Sequence, residues 1–103
     1  MTVGRQYADD SLTYRVDDHR TAWREVDGEA VVLDLATSVY FGLNRSAGVL
    51  WPRLMQGANL RQLTELLLSS VPPPPTRSQA EHQISQFLDA LDSENLLYFD
   101  VVG

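Results

Sequence analysis

The stretch from Glu29 to Asn44, Glu-Ala-Val-Val-Leu-Asp-Leu-Ala-Thr-Ser-Val-Tyr-Phe-Gly-Leu-Asn, does most to limit what this chain can fold into. Val31, Leu33 and Leu35 alternate with Val32 and Asp34, the period-two pattern of a half-buried strand. Ala36 to Ser38 read as a turn, after which Val39, Phe41 and Leu43 alternate with Tyr40 and Gly42. The two runs therefore predict an antiparallel hairpin. Beyond Asn44 the pattern becomes helical, so the second run is the last strand before the helices and has a candidate open edge. Edge strands are usually blunted by charge or proline, and residues 38–43 carry neither. Alternation alone leaves two readings of that edge. Either it is kept free for a peptide that adds itself as a further strand, or the protein's own N-terminal segment covers it.

Upstream, Leu12 to Val16 and Thr21 to Val26 are candidate strands separated by Asp17-Asp18-His19-Arg20, and Asp27-Gly28 is a two-residue hairpin signal. Residues 12–43 are thus expected to form a small meander. Residues 1–11 are unpatterned and read as a flexible terminus, which leaves residues 12–103 as a single domain.

Three helices are expected downstream. Asn44 or Ser46 can cap the first, in which Ala47, Leu50, Trp51 and Leu54 make an apolar stripe. Pro52 should kink or shorten that helix, and Gly57 ends it. Leu60 to Ser70 form the second helix, with Leu60, Leu63, Leu66 and Leu67 inward, and Pro72 to Pro75 are a stiff extended connector. The third runs from about Ser78, as cap, to Glu94, burying Ala80, Ile84, Phe87, Leu88 and Leu91. At 100° per residue, Gln83, Phe87, Ala90 and Glu94 line one rim of that stripe. A large aromatic beside a small alanine leaves room there for a guest side chain. Asn95 can adopt the left-handed conformation that ends a helix, and Leu96 to Phe99 form a short strand.

Charge and residue chemistry narrow the function. The net charge is −6, with eight arginines and no lysine, and residues 81–103 carry five acids and no base. Phosphate backbones demand the opposite sign, and the third helix, with Glu81, Asp89, Asp92 and Glu94, is a poor reading helix for DNA. No apolar run approaches the ~20 residues of a membrane span, and no signal-peptide core is visible, so a cytoplasmic location is expected. There is no cysteine. His19 and His82 stand in regions of different character, and neither metal-ligand spacing nor a phosphate-binding or nucleophile-elbow glycine motif occurs. The expectation is a binding module with no catalysis, metal or cofactor of its own.

The order Val32-Leu33-Asp34, Tyr40-Phe41-Gly42-Leu43-Asn44, Ala47-Gly48-Val49-Leu50-Trp51, Gly57, Leu63, then Ile84, Phe87, Leu88, Leu91 and Leu96-Leu97 resembles the PqqD-like family. Its members are the leader-recognition elements of ribosomally made, modified peptides. Leu-Asp before the turn and Trp51 look most like the stand-alone version of lasso-peptide clusters. Gln83 departs from the family, which often has an acid there, and Asn95 stands where glycine is common. The resemblance implies an α+β fold, a small three-stranded antiparallel sheet on a winged-helix-like bundle of three helices. It favours the open edge, with the leader of a precursor peptide binding as an added strand between the last strand and the third helix. Carried over, Val39, Tyr40, Phe41, Gly42 and Leu43 would pair with that leader, and Gln83, Gln86, Phe87 and Ala90 would form the far wall. The implied partners are the precursor, a separate leader peptidase and an ATP-dependent cyclase, with no nucleic acid and no membrane. The same fold serving another modified-peptide or PQQ-type maturation enzyme, or a winged-helix DNA regulator, are the competing expectations.

Overall fold

The computed structural model describes residues 12–26 and 29–101; the expected flexible segment 1–11 and the Asp27-Gly28 turn lie outside the described residues. In chain order the elements are β1 (Leu12–Val16), β2 (Thr21–Val26), β3 (Glu29–Asp34), β4 (Val39–Leu43), α1 (Arg45–Gln56), α2 (Leu60–Ser70), α3 (Arg77–Ser93) and β5 (Leu97–Val101). The expected α+β class holds, with three helices and an antiparallel sheet in the order β2-β3-β4.

The meander over 12–43 needs correction. β1 does not join that sheet; it pairs antiparallel with β5, Val16 opposite Leu97 and Leu12 opposite Val101. Local alternation marks a strand but cannot name its partner. The turn after β1 redirects the chain, because the Asp17 carboxylate accepts the backbone N–H groups of His19 and Arg20 at 3.0 and 3.1 Å. β1 also meets the α1–α2 junction, where Tyr14 and Ala58 exchange backbone hydrogen bonds of 2.8 and 3.0 Å. Gly57 takes φ 91° there, and a Cβ on it would stand 3.2 Å from the Arg15 guanidinium and 3.3 Å from Thr13 Cγ2. The positive φ therefore favours glycine, and a Cβ would in addition require these two side chains to shift by a few tenths of an ångström.

In β3 the buried face is Ala30, Val32 and Asp34, with Val31 and Leu33 half-exposed. The helices follow the sequence reading closely. Asn44 Oδ1 accepts the Ala47 N–H at 2.8 Å and caps α1, whose Ala47, Leu50, Trp51 and Leu54 are buried as expected. α1 continues through Pro52 to Gln56 rather than stopping. In α2 Leu66 is half-buried against the core, and Thr64 is buried as well; its hydroxyl donates to the Leu60 carbonyl at 2.8 Å, which satisfies it within the helix. α3 begins two residues earlier than expected. Thr76, not Ser78, is the cap: its hydroxyl accepts the Gln79 N–H and the Gln79 side chain accepts the Thr76 N–H, a reciprocal capping box. The earlier start puts Arg77 in the helix, bound to Glu65 at 2.6 Å.

Trp51 and Leu54 of α1, Leu63 and Leu67 of α2, Ile84 and Leu88 of α3, Tyr14 of β1 and Val32 of β3 form one continuous buried core. Each such aliphatic side chain contributes about 1.5–3 kcal/mol relative to exposure. The core clamps the helices against one face of the sheet at β3. β4, at the end of the strand order, is less deeply held: Val39 and Tyr40 are exposed, and Phe41 and Leu43 half-buried.

Candidate peptide-binding cleft

A cleft of about 620 Å³ opens between β4 and α3, within the ~300–1,000 Å³ typical of ligand pockets. Phe41, Gly42 and Leu43 line it from the strand, and Gln83, Gln86, Phe87, Ala90 and Glu94 from the helix. Its floor is apolar, made of Val32, Leu50, Trp51, Leu91 and Leu96, all buried. β4 pairs with β3 on one side (Val32 opposite Phe41, Asp34 opposite Val39) and with no described strand on the other. An end strand beside an apolar cleft offers a newcomer two things at once, backbone groups and side-chain space.

α3 runs antiparallel to β4 across this cleft. At one end, just past β4, Ser46 Oγ donates to Gln83 Oε1 at 3.1 Å. At the other, Arg20 bonds both the Asp34 carboxylate, at the end of β3 opposite Val39, and the Asn95 carbonyl just past α3. The Ser46–Gln83 contact ties α1 to α3 on the surface, while Asn44, also in the lining, is committed to capping α1.

Seven of the nine residues singled out from sequence lie together in the lining: Phe41, Gly42, Leu43, Gln83, Gln86, Phe87 and Ala90. Val39 and Tyr40 do not. Tyr40 is 69% exposed and shares a face with Leu33, opposite to that of Phe41 and Val32, as strand alternation requires. Phe87, expected within the buried stripe of α3, is half-buried and turned to the cleft. The sequence pattern places Leu50, Trp51 and Leu91 in helix stripes and Leu96 in a strand. Nothing in a periodic stripe says which of its members also floors an opening.

Electrostatically the cleft is nearly neutral, since Glu94 is the one ionisable residue in its described lining. A charged cluster lies outside its lining. Arg20 keeps the Asp34 carboxyl down at about 2, helped by the Ala36 N–H at 3.0 Å and by Thr37, against the opposing effect of desolvation. The Tyr98 hydroxyl, 2.7 Å away, lowers Asp17, and Asp17 in turn raises Tyr98. Both histidines are exposed outside the cleft, and no group of three metal-ligating side chains occurs among the described residues. Among those residues, too, no helix is long and apolar enough to cross a membrane.

Comparison with known proteins bears on the fold and the family. Among solved structures, TbiB1 in complex with the TbiA(beta) leader peptide superposes with a TM-score of 0.70 at 27% identity, covering 84% of this chain and 99% of that one. A lasso peptide synthetase B1 complexed with the leader peptide gives 0.68 at 22% identity, covering 82% and 96%, a likeness of fold. No curated protein matches the chain. Residues 29–97, from the start of β3 into β5 and so including both walls of the cleft, match the family model described as coenzyme PQQ synthesis protein D, and the chain belongs to that PqqD family.

Proposed function

We propose that this chain binds the leader segment of a ribosomally synthesised precursor peptide as an added strand along β4 and presents it to separate maturation enzymes. The observation that carries the reading is the pairing of an end strand with an apolar cleft, Phe41 and Leu43 facing Phe87 and Ala90. That two structural neighbours are complexes with leader peptides supports it. Backbone pairing supplies affinity that depends little on sequence, and the cleft supplies selectivity. Within lasso-peptide maturation the recipients would be a leader peptidase and an ATP-dependent cyclase, acting in the cytoplasm, where ribosomes deliver the precursor. No bond is broken by the chain itself. Its contribution is effective concentration: a tethered leader makes the enzyme's encounter nearly intramolecular. An affinity between nanomolar and micromolar, ~8 to 12 kcal/mol, would serve.

Calorimetry with the leader of the precursor encoded alongside this protein, paired with amide NMR of the labelled chain, tests the reading. Binding should move the amides of residues 39–43 and slow their exchange with solvent. Saturable binding that leaves those amides unprotected would remove strand addition as the mode.

A further inference from the structure

We infer that Glu94 is a specificity-determining residue of the cleft and selects a basic side chain on the bound peptide. The inference rests on the leader-binding reading. The basic residue is placed two positions, on the side nearer Val39, from the residue that fills the gap between Phe41 and Ala90.

Three observations converge. Glu94 is the sole ionisable residue of the described lining, in a cleft whose other walls are apolar or amide and hydroxyl. Its backbone is fixed, the N–H closing the last turn of α3 on the Ala90 carbonyl at 3.3 Å, while its carboxylate makes no hydrogen bond or ion pair among the described residues. Arg20, whose Nη1 reaches the neighbouring Asn95 carbonyl at 3.5 Å, is held by Asp34 on the far side. The carboxylate also sits at the C-terminal end of a 17-residue helix, where the helix dipole adds to the attraction for a cation. Covering that carboxylate with an apolar or acidic guest would strip or repel its charge without compensation, so the discrimination is both for a base and against the alternatives.

The spacing follows from the geometry. Ala90 and Glu94 are four residues apart on the helix, about 6 Å along its axis. An extended peptide lying beside antiparallel β4 covers ~6.6 Å in two residues, and two residues return the side chain to the same face.

The test is selection of a phage-displayed random dodecapeptide library on immobilised full-length protein, in wild-type, Glu94→Gln and Glu94→Lys forms, each checked for folding by circular dichroism. Wild-type selection should enrich a large apolar residue with Lys or Arg two positions away. Replacing that base by alanine in a synthetic enriched peptide should weaken binding by about two- to fivefold, and Glu94→Gln should erase the difference. Glu94→Lys should enrich Asp or Glu at the same offset. Peptides enriched with no charge preference there, or with the same preference on Glu94→Lys, overturn this inference and leave the leader reading standing. No enrichment, or enriched peptides that bind a folded Phe41→Glu variant equally well, overturns the leader reading and this inference with it.

Discussion

Arg20 grips Asp34 with two parallel hydrogen bonds, Nε to Oδ1 and Nη2 to Oδ2, each 3.0 Å long. Fork-to-fork geometry of this kind is the strongest form of charge-assisted hydrogen bonding between side chains. Asp34 is fully buried and is the last residue of β3; the same carboxylate accepts the Ala36 N–H, and its carbonyl accepts the Ser38 N–H at 2.7 Å. Arg20 returns the favour through its backbone, accepting the Leu35 N–H at 2.7 Å. The pair therefore fixes the turn that launches β4. With Asp17 holding the Arg20 N–H and the Tyr98 hydroxyl, the cluster also ties the three-stranded sheet to β5.

This cluster should contribute to the loss of stability in strong acid. Asp34 is held at about 2 against an ordinary 3.8, and Asp17 is lowered too. A carboxyl whose folded pKa is depressed contributes stability that is complete above its unfolded pKa and lost as pH falls through its folded one. The contribution of Asp34 should thus be intact above about pH 4 and gone near pH 2. In Arg20→Met the carboxyl remains buried without its cation, so it should titrate at least about one unit higher, and acid unfolding should move up with it. Carbon-13 NMR of the Asp34 carboxyl and acid titration by circular dichroism measure the two. An unchanged Asp34 titration in a folded Arg20→Met protein would contradict the assignment.

That cluster also shows where sequence reading stops. The hairpin, the α1 stripe, Gly57 and the rim Gln83, Phe87, Ala90 and Glu94 were legible because each is a local period or a local backbone demand. The pairing of β1 with β5 and the ion pair between Arg20 and Asp34 join residues far apart in the chain, and nothing in the local pattern of either partner names the other. Tyr40 and Phe41 illustrate the boundary. Adjacent aromatics on a strand must face opposite ways, yet only the packing of Val32 against Phe41 decides which of them meets the cleft.

Asn95 ends α3 with φ 59°, and its N–H donates to the Asp92 carbonyl at 3.0 Å. The left-handed region is costly for a residue with an ordinary Cβ, mild for asparagine and free for glycine. Asn95→Ala should lose about 1 kcal/mol, which for a domain of this size is a fall of roughly 4–8 °C in Tm. Asn95→Gly should stay within about half a kcal/mol of the parent. Thermal melts of the two variants check the order; equal losses would mean that the side chain rather than the backbone conformation matters.

Charge placed on the two faces of β4 should have unequal consequences for peptide binding. Phe41→Glu puts a carboxylate into the cleft against Phe87, so affinity for the leader should fall by at least about tenfold, 1.4 kcal/mol. Tyr40→Glu places the same charge on the exposed outer face beside Leu33 and should leave affinity within about twofold. Calorimetry on both variants distinguishes a guest seated in the cleft from one lying on the outer face, which would reverse the order.

Filling the cleft should separate binding from folding. Ala90 is exposed, lies on the wall facing Phe41, and makes no part of the buried core, which α3 supplies through Ala80, Ile84, Leu88 and Leu91. Leucine is almost as good a helix former as alanine, so Ala90→Leu should keep the fold and change Tm by no more than a few degrees. The added isopropyl group, however, would occupy the space beside Phe87 and cover apolar surface that a guest would otherwise bury. Each methylene excluded from such a contact is worth about 0.8 kcal/mol, so the three added carbons should weaken leader binding by one to two orders of magnitude, about 1.4–2.8 kcal/mol. A thermal melt and a calorimetric titration of the same preparation give both numbers. Retained affinity in a folded Ala90→Leu protein would place the peptide somewhere other than between β4 and α3.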